Sequence, residues 1–208
     1  RLRISSLQPQ EINRELLQLW DNPRLCPHFH VPLQSGSSAI LKAMRRRYSP
    51  QEYAEAVEAI RRIMPKAAIT TDVIVGFPGE TEHQFQETIN FCKDVQYASL
   101  HIFPYSTRPG TSAAHLEPKV EDSEKRIRME IMLRLAKEQS KSYKRNMLGT
   151  TCEVLWETSR HVDGIQRWSG LTKNYVRVVT LASQTLYNQI TPVILDKHDG
   201  ELVWARVL

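Results

Sequence analysis

The feature that most constrains the fold is the alternation of strands and capped helices over the first hundred residues. The segment AITTDVIVGF (68–77) is β-branched almost throughout, which is typical of a strand. Ser49 and Glu52 form a capping box around Pro50, and Thr81 with Gln84 forms a second helix start. Helices at this spacing connect parallel strands, so the pattern predicts an α/β barrel or open sheet. The other predicted strands are 2–6, 28–33 and 99–106, with a further helix around 9–20.

Each predicted strand carries polar side chains on one face, because successive side chains of a strand point to opposite sides. Parallel strands that are buried on both faces are usually apolar throughout, so the polar face predicts the lining of an open barrel that holds a polar ligand. An antiparallel sheet that is wet on one side is the alternative. The polar face would carry Arg3, Ser5, His28, His30, Gln34, Thr70, Asp72, Ser99, His101 and Tyr105.

The turns after the strands are the expected place for chemistry in a barrel of this kind. Gly76 and Gly79, in VGFPGETE (75–82), would let the backbone approach a ligand closely. Neither this turn nor LQSGSS (33–38) has the spacing of a nucleotide-phosphate loop. Asp72 and Glu80 are acidic candidates, although Glu80 would also favour the dipole of the helix that follows it.

The pattern changes from about residue 150, where short strands alternate with turns. The segments CEVLWE, YVRVVTL, TPVILD and ELVWARVL predict a small all-β barrel or sandwich, with Asp199-Gly200 as the hairpin turn between the last two. We therefore predict one domain over 1–146 and a second over 147–208. A long helix at 124–146, with Ile127, Ile131 and Leu135 on one stripe, would precede the barrel.

Charge and cysteine content narrow the class of protein. Residues 1–149 carry 22 basic and 17 acidic side chains, whereas residues 150–208 carry 6 of each. The helix at 124–146 holds 8 basic and 3 acidic residues, which suits either contact with a phosphate backbone or a solvated surface. No apolar run approaches the roughly 20 residues of a membrane helix. Three widely spaced cysteines indicate a reducing, cytoplasmic setting.

Four long motifs carry a family resemblance: RISSLQP, CPHFHVPLQSGSSAILKAMRRRYS, AITTDVIVGFPGETEHQFQET and FPYSTRPGTSAA. They resemble the second half of the radical S-adenosylmethionine (SAM) domain of tRNA methylthiotransferases, and GLTKNYVRVV (170–179) is similar to the RNA-binding TRAM domain. The fold implied is α/β: the C-terminal part of a partial (βα) radical-SAM barrel, followed by a small all-β TRAM (OB-like) barrel. CPHFH and HIFPYS are most similar to the branch that acts on N6-threonylcarbamoyladenosine in tRNA, and HVPLQSGS is also close to the isopentenyladenosine branch.

The resemblance implies that a [4Fe–4S] cluster reduces S-adenosylmethionine, that the resulting radical takes hydrogen from adenine C2, and that a methylthio group is then added. The protein's part is to orient the reactants and to exclude water. By motif, Arg3, Ser5 and Ser6 would lie near the ribose and methionine parts of the cofactor. Gln34, Ser35 and Gly36 would border the reaction space, and Val75, Gly76 and Phe77 would pass the adenine.

The resemblance also implies tRNA as the partner. His30 and Asp72 would lie on the substrate side, and Tyr105 and Arg108 would face the tRNA base or its phosphate. In the barrel, a basic patch would consist of Arg160, Arg167, Lys173 and Arg177. Four aromatic residues would stack bases or, more simply, pack the barrel core: Trp156, Trp168, Tyr175 and Trp204.

The chain departs from the family pattern at the clusters. The three-cysteine radical motif and the Gly-Gly-Glu segment are absent, and Cys26, Cys92 and Cys152 do not match cluster ligands. We therefore expect a fragment that is inactive alone, with [4Fe–4S] clusters held by a full-length parent and no metal ligand in this chain. The unpaired edge of LRISS (2–6) would favour self-association.

Two other functions fit the same sequence. A non-catalytic RNA-binding module would also have the basic helix and the strand-rich tail. A metal-dependent barrel hydrolase could use His28, His30, Asp72 and His101 to bind a divalent ion.

Overall fold

A three-stranded parallel sheet organises the first part of the chain in the computed structural model, which describes residues 1–200 and 202–208. The strands are β1 (His28–His30), β2 (Ala68–Val75) and β3 (Ser99–Pro104), in the order β1-β2-β3. Both pairings are parallel, so the α/β prediction is confirmed and the antiparallel alternative is wrong. The helices are α1 (Arg14–Gln18), α2 (Ser38–Ala43), α3 (Pro50–Ile63), α4 (Glu82–Val95) and α5 (Asp122–Asn146).

The two predicted capping boxes are confirmed. Ser49 Oγ accepts the backbone N–H of Glu52, whose carboxylate accepts the N–H of Ser49 at 2.7 Å, and α3 begins there. Thr81 and Gln84 exchange the equivalent bonds at the start of α4. Because each box satisfies helix N–H groups that have no partner within the helix, these boundaries are set locally by sequence.

The predicted first strand at 2–6 is wrong. Leu2 makes a single parallel bridge to Leu25, and its side chain, expected to be buried, is 59% exposed. Ser6 adopts a φ of +60°, which turns the chain out of the extended conformation. The N-terminal segment still lies beside β1, since Leu7 N–H donates to the carbonyl of His30 at 3.0 Å. Self-association through this edge stays a prediction.

The predicted helix around 9–20 is divided into three short pieces. A 3₁₀ turn at Pro9–Glu11 precedes α1, and another at Leu19–Asp21 follows it. Asn13 separates the first 3₁₀ turn from α1, because its backbone is extended while its side chain accepts the N–H of Leu16 to cap α1.

The apolar face of the sheet packs against helices and forms one hydrophobic cluster. Five residues are buried on this side: Phe29, Val73, Val75 and Leu100 in the strands, and Val31 directly after β1. Helix α5 contributes to the cluster through Met132 and Leu135, whereas Ile127, predicted on the same stripe as Leu135, is exposed. The buried side of α5 is therefore rotated from the predicted stripe and includes the polar Arg128 and Gln139.

A buried ion pair ties the turn after β2 to α5. Glu80 Oε2 accepts the N–H of Gly76 and the guanidinium of Arg128, both at 2.7 Å, and both charged side chains are almost fully buried. Burial raises the pKa of Glu80, and the bonds from Gly76 and Arg128 oppose that rise. Glu80, an acidic candidate from sequence, thus shapes the turn and faces neither solvent nor a cavity.

Replacing Arg128 with alanine should destabilise the fold by about 3–5 kcal/mol, because it leaves the Glu80 carboxylate buried without its partner. Arg126→Ala, on the exposed side of the same helix, is the matched control and should change the free energy of unfolding by less than about 0.5 kcal/mol. Urea denaturation monitored by circular dichroism measures both values. If both variants changed the free energy of unfolding by the same small amount, the Glu80–Arg128 ion pair would not stabilise the fold as described.

The second part of the chain is a closed five-stranded barrel in the order β4-β5-β6-β8-β7. Its strands are β4 (Thr151–Val162), β5 (Ile165–Thr172), β6 (Arg177–Leu181), β7 (Ile190–His198) and β8 (Val203–Val207). A small barrel was predicted and is confirmed, although β5 was missed. β7 and β8 pair antiparallel on either side of Asp199-Gly200, as predicted. Glu201, the predicted first residue of the last strand, lies outside the described residues.

Two separate hydrophobic clusters divide near the predicted boundary between residues 146 and 147, although Tyr143 of α5 packs against the second. The first runs from Ile12 to Leu135 in sequence, and the second runs from Met147 to Ala205. Trp156 and Trp168 belong to the second cluster, which agrees with their packing alternative. Across 1–200 and 202–208, no helix is both long enough and apolar enough to cross a membrane.

Candidate ligand site between the sheet and the small barrel

The strand register places polar side chains side by side on the second face of the sheet. His30 on β1 pairs with Thr70 on β2, which pairs with Ser99 on β3; Asp72 pairs with His101 one step further along. Because residues two apart on a strand share a face, these five side chains form a single polar surface. The sequence prediction of a polar sheet face is therefore matched by the strand pairing.

Asp72 stands at the centre of this surface, between two histidines. Its Oδ2 is 3.2 Å from His30 Nε2, and its Oδ1 is 3.2 Å from His101 Nδ1. The two imidazole rings stack with centroids 5.8 Å apart. Thr70 Oγ1, 3.1 Å from His30 Nδ1, holds the other edge of that ring. The carboxylate thus orients two imidazoles whose remaining edges face Thr70 and solvent.

His28 lies one step toward the start of β1 and has a different environment. Its Nε2 is 3.4 Å from Thr70 Oγ1, and its Nδ1 is buried without a partner. Burial and, to a smaller extent, the positive charge of Arg3 together lower the pKa of His28 to about 4. The ring is therefore neutral at physiological pH, and it packs at a tilt against Tyr175 of the small barrel, with ring centroids 4.8 Å apart.

The hairpin tip between β5 and β6 brings Tyr175 to this place. Thr172 Oγ1 accepts the N–H of Val176 and donates to Asn174 Oδ1 at 2.6 Å, which makes a compact loop. Asn174 Nδ2 then donates to the hydroxyl of Tyr143 on α5 at 2.9 Å. That hydroxyl donates in turn to the carbonyl of Lys66 at 3.1 Å. This chain of bonds docks the barrel onto the sheet domain.

Tyr175 is presented outward by this loop. It has a φ of +67°, and its side chain is 53% exposed. The guanidinium of Arg3 lies 4.9 Å from the centre of its ring and donates to the carbonyl of Thr172 at 3.1 Å. An exposed aromatic ring beside a cation is a suitable platform for a planar, electron-rich ligand.

A cavity of about 650 Å³ lies between the polar face of the sheet, α5 and the hairpin tip. Its size is within the usual range for a small-molecule site. Its polar lining comprises Arg3, Ser5, His28, His30, Thr70, Asp72, Ser99, His101, Ser140, Tyr143, Lys144, Asn174, Tyr175 and Arg177. We call it the interface cavity.

A second cavity of about 560 Å³ lies at the carboxyl ends of the strands, and we call it the strand-end cavity. Gln34, Tyr105 and Arg108 line it, and Asp72 borders both cavities. The Tyr105 ring packs edge-on against Phe77 at 5.2 Å, and its hydroxyl is buried without a partner. Because buried polar groups are nearly always hydrogen-bonded, this hydroxyl is expected to bond to a ligand or a water molecule.

The structure divides the residues that were predicted to bind S-adenosylmethionine. Arg3 and Ser5 line the interface cavity, Gln34 lines the strand-end cavity, and Ser6 is exposed without lining either. The side chains of Val75 and Phe77 are buried, so their backbone alone is available to a ligand. Gly76 lies against Lys125, since a Cβ there would be 2.4 Å from Lys125 Cγ.

Ser35 and Gly36 are turned toward α4. Ser35 Oγ is 3.1 Å from Thr88 Oγ1, and a Cβ on Gly36 would lie 2.7 Å from Thr88 Cα. The prediction that these residues border the reaction space therefore receives no support from their placement. Their residue types are explained by the close approach of the turn to the α4 backbone.

The four residues of the predicted basic patch of the barrel lie in different surroundings. Arg160 and Arg167 face each other across β4 and β5, whereas Lys173 pairs with Glu153 at 2.9 Å. Arg177 pairs with Glu157 at 3.3 Å and also lines the interface cavity. Arg177 is thus the one member of the predicted patch that lies at the interface cavity, within the chain that the structure describes.

Sequence reasoning missed Tyr143 and Asn174. Both contact the other domain across more than 30 positions of sequence, so no local pattern marks them. Trp204, offered from sequence as a stacking residue, bonds through Nε1 to Asp199 Oδ2 at 2.6 Å and lies beside Lys197.

The comparisons with known proteins place this geometry in a class. The Radical SAM superfamily model matches residues 4–92. The structure of coproporphyrinogen III oxidase from Escherichia coli, a radical SAM enzyme, has a similar fold, with a TM-score of 0.56 and 13% identity over 82% of this chain and 46% of that chain. Residues 4–92 therefore match the Radical SAM superfamily, and the parallel sheet has the fold of part of a radical SAM barrel.

Curated relatives show which radical SAM enzymes this chain is similar to. Threonylcarbamoyladenosine tRNA methylthiotransferase MtaB of Bacillus subtilis is 36% identical over 98% of this chain and 47% of its own length. MtaB of Thermotoga maritima is 41% identical over 76% of the chain and 36% of its length. tRNA-2-methylthio-N6-dimethylallyladenosine synthase of Nocardia farcinica is 42% identical over 74% of the chain and 31% of its length. As predicted, the chain is similar to tRNA methylthiotransferases, and it spans about half or less of the length of these relatives.

The cysteines of this chain do not fit an iron–sulfur cluster. Cys26 and Cys92 are buried in different parts of the sheet domain, and Cys152 lies in the barrel. Burial raises the pKa of Cys92 to about 12, which keeps it a thiol, whereas a cluster needs thiolates. S-adenosylmethionine fits better, because the strand-end cavity offers the unpartnered Tyr105 hydroxyl, the Gln34 amide and the Asp72 carboxylate.

Tyr143→Phe should destabilise the docked arrangement by about 1 kcal/mol, because it removes the hydroxyl that joins Asn174 to the Lys66 carbonyl. Tyr187→Phe removes an exposed hydroxyl of the barrel and serves as the control. Thermal unfolding followed by near-ultraviolet circular dichroism measures the difference. An unchanged midpoint for Tyr143→Phe would contradict the docking role.

Proposed function

We propose that the chain is part of an enzyme that adds a methylthio group to C2 of a hypermodified adenosine in tRNA. The observation that carries this proposal is the match to MtaB of Bacillus subtilis, which extends over 98% of the chain and so covers both domains. The two domains that meet at the interface cavity are therefore both present in that relative.

The strand-end cavity is the proposed position of S-adenosylmethionine. When bound, this cofactor supplies the methyl group and the means of abstracting hydrogen, with clusters held by the parts of the parent outside this chain. Asp72 offers a negative charge to its cationic centre, and Tyr105 and Gln34 offer hydrogen bonds.

The interface cavity is the proposed position of the modified adenosine. Tyr175 offers a stacking surface, and the polar sheet face offers His30 and Asp72 beneath it. Arg3 gives the rim a positive charge, and Arg177, which is paired with Glu157, lies beside it. Asp72 borders both cavities, which would bring base and cofactor to the same carboxylate.

The charge of this rim favours N6-threonylcarbamoyladenosine over N6-isopentenyladenosine. The threonylcarbamoyl group carries a carboxylate, which suits an arginine-lined rim, whereas the isopentenyl group is apolar. A tRNA substrate also places the protein in the cytoplasm. Because the described cysteines are dispersed, we propose that the chain alone is inactive.

The experiment is a methylthiolation assay of the full-length parent, reconstituted anaerobically with iron and sulfide. Anticodon stem-loops that carry either modified adenosine are the substrates, and mass spectrometry of the digested nucleosides is the readout. We expect 2-methylthio product from the threonylcarbamoyl substrate and none from the 208-residue chain. A parent that binds the RNA but yields neither product would instead identify an RNA-binding module.

Tyr175→Ala should weaken binding of the anticodon stem-loop to this chain by about 1–3 kcal/mol, the usual contribution of one base stacked on an aromatic ring. Tyr187→Ala removes a tyrosine that is also exposed but lies outside the interface cavity, and it should leave affinity unchanged. Fluorescence anisotropy at fixed salt measures both. Equal losses would show that Tyr175 has no special part in binding.

A further inference from the structure

We propose that His30, Asp72 and His101 bind one divalent first-row transition-metal ion, in addition to any iron–sulfur cluster of the parent. The three side chains each offer one ligand atom, and these atoms all lie within 4.8 Å of one another. Two imidazole nitrogens and one carboxylate oxygen form a donor set that suits iron, zinc or cobalt better than magnesium or calcium. The proposal is independent of the methylthiotransferase assignment.

The spacing of the donors suits a common ion. Ligand atoms bound to zinc at about 2.0–2.1 Å with tetrahedral angles are separated by roughly 3.4 Å. His30 Nε2 is 3.2 Å from Asp72 Oδ2, His101 Nδ1 is 3.2 Å from the other oxygen, Oδ1, and the donor atoms of the three residues all lie within 4.8 Å of one another. Rotation of the Asp72 carboxylate and of the exposed His101 ring would bring one oxygen and both nitrogens to coordination distance.

The backbone holds these donors in place before any ion arrives. His30, Asp72 and His101 lie on three neighbouring parallel strands, and Asp72 and His101 are direct register partners. Thr70 adds the outer support that metal-ligating histidines usually have, since its Oγ1 is 3.1 Å from His30 Nδ1. A site built on strands in this way loses little conformational freedom on binding.

Coordination also requires a change of tautomer. Without an ion, Nε2–H of His30 and Nδ1–H of His101 can donate to the two oxygens of Asp72. With an ion, His30 carries its proton on Nδ1 and donates to Thr70 Oγ1, which is 3.5 Å from the carbonyl of Phe29 and can donate to it. His101 then carries its proton on Nε2.

The open side of the site faces the interface cavity, which all three residues line. The His101 side chain is 52% exposed, so an ion would be reachable from solvent. Three protein ligands leave at least one position free for an oxygen or nitrogen atom of a bound ligand. The ion would then help to hold that ligand against the polar sheet face.

The test is a titration of the 208-residue chain with Co²⁺, followed by visible absorption in a thiol-free buffer. We expect one equivalent to bind with the d–d bands of nitrogen and oxygen ligands, to lack thiolate charge-transfer bands, and to be displaced by Zn²⁺. His101→Gln, at the most exposed of the three donors, should weaken binding at least 10-fold, as should His30→Gln. His115→Gln, on an exposed histidine elsewhere, is the control and should bind as the unchanged chain does.

Circular dichroism of each variant separates loss of the site from loss of the fold. Absence of stoichiometric binding by the folded, unchanged chain would overturn the proposal and leave the three residues as a hydrogen-bonded network. Binding that persists in the folded His30→Gln/His101→Gln double variant, or that shows thiolate bands, would also overturn it. His28→Gln should retain binding, because its Nε2 faces Thr70; a loss equal to that of His30→Gln would contradict the assigned donor set.

Discussion

The parallel pairing of β2 with strands on both its sides is the constraint on which the rest of the structure depends. It buries Val73 and Val75 against the helices and, on the other face, aligns Asp72 with His101 and near His30. One register therefore determines both the hydrophobic core and the polar surface, because a slip of one residue would exchange the two faces. The position of the candidate site follows from this pairing.

The small barrel completes the site rather than forming a separate one. Its hairpin tip is held against α5 through Asn174 and Tyr143, and this contact places Tyr175 over His28. Arg3 bridges the two domains, because it contacts both the Tyr175 ring and the Thr172 carbonyl. Residues of both domains therefore line the interface cavity. Boundaries between domains are a common location for ligand sites.

Local signals in the sequence predicted much of the fold. The capping boxes of α3 and α4 and the β-branched strand β2 depend on residues within a few positions of each other, and they were found. Residues 2–6 were misassigned because a strand needs a partner, and Ser6 turns the segment away after one bridge. The strand β5 was missed because Gly170, which resembles a turn residue, fits the close approach of the Leu155 carbonyl.

The site was predicted only in part, for a related reason. Alternation along the strands identified His30, Asp72 and His101 as neighbours on one face, which needs only a parallel register. It could not reveal that Ser35 packs on Thr88, or that Asn174 reaches Tyr143, since these contacts depend on how helices and domains pack. The family resemblance assigned residues to the cofactor or to the tRNA, but it did not indicate that these residues would line two different cavities.

We propose that the polar sheet face and the hairpin tip form one RNA-facing site. Hydrogen–deuterium exchange of the chain can be measured with and without an anticodon stem-loop bearing N6-threonylcarbamoyladenosine. We expect the RNA to slow exchange in both 28–34 and 172–177, the two segments that contain residues of the interface cavity. Protection confined to the outer surface of β4 and β5, with 28–34 unchanged, would contradict it.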